Sequence, residues 1–270
     1  MPFLSRHLRL ALHRTWWNRL AHADPYWAVL TEPGKEGRNW DPQAFFLTGT
    51  ETVAAEIHHL KTRGIELRFD HALDFGCGLG RLTNGLAGHF AQTTGVDISS
   101  TMLKQARQLS RHPDRIRFVK TADPRLRNLP DNAFDFVYSE ITLQHIPPAE
   151  SEVYIASLVR LARPGGAISF QLPASLPPPD PVEQFRFSSW PPTLWRRLQR
   201  MGGRLWRQSR HYWQPHMPMY AVPRLRVIAL IEAAGARVVE VAPSPSAGPA
   251  IESFHYRAVK VAPSQSAAGK

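Results

Sequence analysis

The chain has 270 residues, 43% of them apolar, with eight Trp and thirteen Phe, enough to fill one large or two modest domains around a sizeable core. Lys and Arg number 33 against 22 Asp and Glu, a formal charge of +11 that favours polyanions or anionic surfaces as partners and says nothing about fold. No run reaches the roughly 18 apolar residues of a membrane span, and a single cysteine excludes an intramolecular disulfide or a multi-cysteine metal site.

The leader MPFLSRHLRLALHRTWW breaks its apolar stretch with Arg6, Arg9, His13 and Arg14, unlike a signal-peptide core. With the lone cysteine, this gives an expectation of a cytoplasmic protein. Leu4, Leu8, Leu12, Trp16 and Leu20 form one stripe on a basic helix. Such a helix is a peripheral membrane anchor, or it docks on the domain's own sheet or on a second subunit. Residues 1–64 read as a helical leader and cap, whose Tyr26, Trp27, Trp40, Phe45 and Phe46 cover a ligand, line a pocket or simply pack.

From residue 65 short apolar runs alternate with amphipathic segments, the pattern of βαβ units and a largely parallel sheet. Strands are expected at 71–75, 93–98, 116–121, 134–140 and 167–173. Helices are expected at 81–90, from Met102 to Ser110 behind a Ser99 or Ser100 cap, and through ESEVYIASLVRLA up to Pro164-Gly165-Gly166. After Pro173 the rhythm breaks into a proline-rich, then basic and Trp-rich insertion, about 174–222, expected as a lid. The pattern resumes with a helix over 224–235 and two strands, ARVVEVAP and SFHYRAVKVA, so one α/β domain spans 65–262 and a disordered tail covers 263–270.

The stretch ALDFGCGLGRLT places Gly76, Gly78 and Gly80 directly after the first strand, where an open α/β sheet binds its ligand. The dinucleotide fingerprint G-x-G-x-x-G requires glycine at position 81, which is Arg81, so that fingerprint fails. Asp97 ends the second strand, where a carboxylate accepts ribose hydroxyls or caps a helix; Asp123 follows the third. Ser139, Glu140, Gln144 and His145 follow the fourth.

These segments together resemble the class I S-adenosylmethionine-dependent methyltransferases: DFGCGLGR, GVDIS with Met102, TADP, FDFVYSEITLQHI and LARPGGAISFQ stand in the order of that family's five motifs. The resemblance implies a Rossmann-like fold, a mostly parallel seven-stranded sheet with helices on both faces and an antiparallel last strand. It implies methyl transfer from S-adenosylmethionine, with Gly76 and Gly78 against the methionine part, Asp74 at the amino group, Asp97 at the ribose and Asp123 at the adenine. The loop around Ser139 and Glu140 passes under the sulfonium, and Cys77, Gly80, Arg81, Ile98, Met102 and Ala122 complete the expected cofactor site, with no metal.

A cofactor without pyrophosphate needs close backbone approach and carboxylates, which Asp74, Asp97, Asp123 and Glu140 supply in a basic protein. Methyl transfer requires mainly near-attack positioning. A hydroxyl acceptor also needs a base, for which His145 is the candidate; the alternative is a structural histidine bonding a backbone carbonyl. The Asn/Asp-Pro-Pro-aromatic pocket of adenine amino-methyltransferases is missing at Ser139–Thr142, and Cys77 is no C5 nucleophile, so nucleic acid is disfavoured. The expected acceptor is a small or glycan-like molecule, anionic and lipid-linked acceptors included, methylated at a hydroxyl oxygen. The rival readings are an RNA methyltransferase and a catalytically silent S-adenosylmethionine-binding module.

Overall fold

The computed structural model describes residues 6–177 and 217–262. The expected Trp-rich lid lies largely, and the expected tail wholly, outside the described residues, as do Leu4 and the Leu8 side chain of the leader stripe.

Three helices precede the sheet: α1 (Arg6–Ala23), α2 (Pro25–Val29) and α3 (Pro42–Thr62). Then come β1 (His71–Phe75), α4 (Arg81–Ala87), β2 (Gln92–Asp97), α5 (Ser100–Leu109), β3 (Ile116–Lys120), β4 (Phe134–Ser139), α6 (Pro148–Leu161), β5 (Ala162–Pro173), α7 (Arg224–Ala233), β6 (Ala236–Pro243) and β7 (Ser253–Lys260). The seven strands lie in the order β3-β2-β1-β4-β5-β7-β6. The first five pair in parallel, and β7 runs antiparallel to both β5 and β6. Every residue of β4 is buried, as expected of a central strand covered on both faces. This is the mixed seven-stranded architecture expected from the sequence.

Two boundaries moved. Helix α6 ends at Leu161 and β5 starts at once at Ala162, because residues 163–166 are absorbed as an irregularity in the pairing of β4 with β5 between Phe134 and Phe136. Helix α4 stops at Ala87 and is buried along its whole length, since α3 crosses directly over it. A Cβ at Gly49 would lie 2.2 Å from the Arg81 carbonyl oxygen, and one at Gly85 2.7 Å from that of Gly49, so only this glycine pair permits the crossing.

The leader helix docks on its own domain. Leu20 is buried with Phe45, Phe46, Leu79 and Met102, and Trp16 and Trp17 pack on that cluster. Asn18 Oδ1 accepts from Ser99 Oγ at 2.7 Å, and Gln105 donates to the Ala21 carbonyl at 3.0 Å. Of the leader stripe, Leu12 is exposed. No helix among the described residues is long and apolar enough to cross a membrane.

Candidate active site

The sheet changes direction of winding between β1 and β4, and a cleft opens beyond the carboxyl ends of these strands, where α/β sheets bind ligands. Its floor is the loop after β1. The Gly76 and Cys77 N–H groups both donate to the Val96 carbonyl, at 2.8 and 3.0 Å, which turns the chain sharply at the end of β1. Gly76 has φ +77°, and a Cβ there would sit 2.1 Å from Thr142 Cγ2, so this position requires glycine twice over.

Asp97 organises the loop from the neighbouring strand. Its Oδ2 accepts from the Gly78 N–H at 2.9 Å and its Oδ1 from the Ser99 N–H at 2.7 Å, and the Ile98 N–H is a further donor to the carboxylate. Burial pushes its carboxyl above the ordinary range, against the pull of those backbone donors. Ser99 in turn caps α5, its Oγ accepting from Met102 N at 3.1 Å, so one turn serves both helix and site.

Asp74 sits behind the floor and is fully buried. Its pKa is pushed up to about 6 by burial, opposed by the Thr83 hydroxyl that donates to Oδ2 at 2.5 Å and by the Arg81 charge. The Cys77 thiol is pushed well up by burial and by the Asp97 and Asp74 charges, which makes it an inert small residue of the loop.

The opposite wall follows β4. Ser139 Oγ donates to the Phe75 carbonyl at 2.9 Å, tying β4 to β1 just behind the cleft. Ile141 adopts φ +54°, an unfavourable conformation for a β-branched residue, and its N–H donates to Gln171 Oε1 at 3.3 Å. That strained turn presents Glu140, Ile141 and Thr142 to the cleft. Arg81 also lines it; its Nη1 donates to Thr48 at 3.3 Å, while its buried Nε has no acceptor among the described residues.

Helix α1 closes the cleft with Leu10, His13 and Trp17, facing Ile146, Pro147, Glu150 and Tyr154. The space between these walls is partly open to solvent.

Of the expected site residues, Asp74, Gly76, Cys77, Gly78, Arg81, Asp97, Ile98, Met102 and Glu140 line the cleft. Gly80, Ala122, Asp123 and Ser139 are not among its wall residues. Gly80 caps α4 and Ser139 braces the strands from behind. Asp123 is turned outward by an ion pair: its Oδ2 accepts from Arg127 Nε at 2.7 Å and its Oδ1 from the Arg125 N–H at 3.1 Å. Thr121 takes the wall position after β3 instead.

His145, the expected base, lies off the cleft wall. Its Nδ1 donates to the Pro218 carbonyl at 3.0 Å, and its Nε2 accepts from the Gln144 amide at 3.2 Å. Burial pushes its pKa down to about 4, against the Pro218 carbonyl. The ring is absent from the cleft wall and matches the alternative, a structural histidine bonding a backbone carbonyl. Sequence reasoning missed Leu10, His13, Trp17, Val29, Thr142, Glu150 and Tyr154; the aromatic, acid-free leader was the only signal for the first three.

The strand order, the cleft at the reversal and the glycine loop define the Rossmann-like class I methyltransferase fold. Residues 73–170 match the model of the family described as Methyltransferase domain. Similar proteins include a ubiquinone biosynthesis O-methyltransferase of Thiobacillus denitrificans, 34% identical over 143 residues, covering 49% of this chain and 56% of that protein. Another is a trans-aconitate 2-methyltransferase of Paracidovorax citrulli, 32% identical over 137 residues and covering 50% of each. The chain thus spans about half the length of the curated relatives it matches. Among solved structures, magnesium protoporphyrin IX methyltransferase from Synechocystis with bound SAH superposes with a TM-score of 0.58 over 93% of this chain and 99% of that one; at 18% identity it speaks for the fold alone.

Proposed function

We propose that the chain is an S-adenosylmethionine-dependent methyltransferase acting on a small-molecule acceptor at a hydroxyl oxygen. The observation that carries the reading is the Asp97 carboxylate, braced by the Gly78 and Ser99 N–H groups at the rim of a bare glycine backbone.

The residues fit that cofactor. Asp74, Asp97, Glu140 and Glu150 give a cleft in a basic protein a ring of carboxylates, which suits a sulfonium and an ammonium and repels a polyphosphate. Asp97 keeps acceptor capacity beyond its backbone donors for the ribose hydroxyls. Val96, Ile98 and Met102 supply apolar surface for adenine, and Gly76 to Gly78 with Asp74 take the methionine end. The cofactor, when bound, supplies an activated methyl group. The chain's own part is to hold the acceptor within reach, exclude water and accept a proton.

The acceptor side of the cleft is walled by Leu10, Trp17, Ile146, Pro147 and Tyr154, which favours a small molecule with an apolar or aromatic body. The relatives with small acceptors in their names support the same class. Incubation of the protein with radiolabelled S-adenosylmethionine and separate small-molecule and RNA fractions tests it: label is expected in the small-molecule fraction. Label confined to RNA, or binding without transfer to either fraction, overturns the acceptor clause.

A further inference from the structure

Behind the cleft wall a file of polar side chains leads from Glu140 through His255, Ser169 and Glu56 to Arg257 and Glu240, which meets His59 and Arg63. Its hydrogen positions follow from counting. Arg257 donates to both oxygens of Glu56, at 2.8 and 2.6 Å. Burial alone would raise the Glu56 carboxyl, but Arg257, His255 and Ser169 hold it below the usual range, so it is an ionised, acceptor-only group. Ser169 gives its single hydroxyl proton to Glu56 Oε1 at 2.5 Å. The 2.7 Å contact between Ser169 Oγ and His255 Nε2 is therefore a bond donated by the imidazole.

A neutral His255 then carries its lone pair on Nδ1, which faces Glu140 Oε2 at 3.6 Å. Tyr138 donates its hydroxyl to that same oxygen at 3.3 Å and stacks on the His255 ring. Two acceptors confront each other across a gap that one added proton would close. Burial holds His255 below its ordinary value; Glu140 and Glu56 pull it up, and Arg257 and His59 push it down. At neutral pH the seat is open.

Resting on the methyl-transfer reading above, we propose that Glu140 is the general base for a hydroxyl acceptor and that His255 is the positioning residue that takes up its proton. The acceptor O–H bond breaks and its electron pair stays on the oxygen, which would bond the methyl group as the methyl–sulfur pair would remain on the departing cofactor's sulfur, and the proton passes to Glu140 and settles on His255 Nδ1. Glu140 belongs to the cleft wall, whereas His255 acts only through it. Glu56, 3.7 Å from Nε2, compensates the imidazolium that forms, and the Ser169 bond fixes the ring's tautomer. A carboxylate alone is a weak base near neutrality; an imidazole behind it moves the proton's final seat toward the working pH.

The test uses the full chain with 15N-labelled histidine, resonances assigned through the backbone, and needs neither cofactor nor acceptor. His255 is expected as the Nε2–H tautomer above its titration midpoint, and Glu140→Gln should lower that midpoint by about one pH unit, as loss of a carboxylate within 4 to 6 Å predicts. An Nδ1–H tautomer, or a midpoint unmoved in Glu140→Gln, overturns the assignment. Failure of S-adenosylmethionine to bind in calorimetry would instead strike the methyl-transfer reading, so the two failures are distinguishable.

Discussion

Gly76 and Thr142 touch so closely that a single added carbon on Gly76 would fall 2.1 Å from Thr142 Cγ2 and 2.3 Å from its Oγ1. Gly76→Ala combines this clash with a residue at φ +77° and should destabilise the fold by about 1 to 3 kcal/mol in urea titration. Adding Thr142→Ala removes the two nearest atoms but leaves the Cβ of residue 142 at 2.7 Å and the backbone strain, so the double variant should recover only part of the loss. Full stability of Gly76→Ala alone would show that the loop is looser than described.

Asp74 gives the fold an unusual pH dependence. Its folded pKa, about 6, lies above the unfolded carboxylate value, so the folded state holds more protons between those two values. Stability from this group therefore falls as pH rises from about 4 to 6 and stays low above that, a difference on the order of 3 kcal/mol. Asp74→Asn should flatten this segment of the stability profile. An identical slope in wild type and variant would contradict the burial argument.

Glu56 behaves with the opposite sign. Its folded pKa is lowered, so the stability it contributes is present above the unfolded value and is lost as pH falls through the folded one. Arg257→Met leaves this buried carboxylate uncompensated and should cost about 3 to 5 kcal/mol, whereas replacing Glu56 and Arg257 together by Leu and Met should recover most of it. Chemical denaturation of the three proteins compares them directly.

His145→Ala should lower the melting temperature through loss of the Pro218 and Gln144 bonds, with cofactor affinity changed less than about threefold. A variant of wild-type stability whose turnover alone collapses would assign His145 as the base.

The central sheet was legible because its strands are short apolar runs punctuated by glycine and proline: β1 and β6 begin and end where the alternation places them. The cleft floor was legible because Gly76, Gly78 and Asp97 are local to strand ends. Asp123 lies off the cleft wall because Arg127, four positions on, draws its carboxylate away, and such a pairing leaves no mark in a motif. The Glu56–Arg257 pair joins residues 201 positions apart, and the docking of α1 rests on contacts such as Asn18 to Ser99, 81 positions apart. Periodicity carries no information at that range.

The most direct test of the account is a calorimetric titration of S-adenosylmethionine into the wild-type chain and into Asp97→Ala. A one-site isotherm is expected for the wild type and an affinity about ten- to hundredfold weaker in the variant, as loss of hydrogen bonds to a charged acceptor requires. No binding to the wild type, or equal affinity in both proteins, would contradict it.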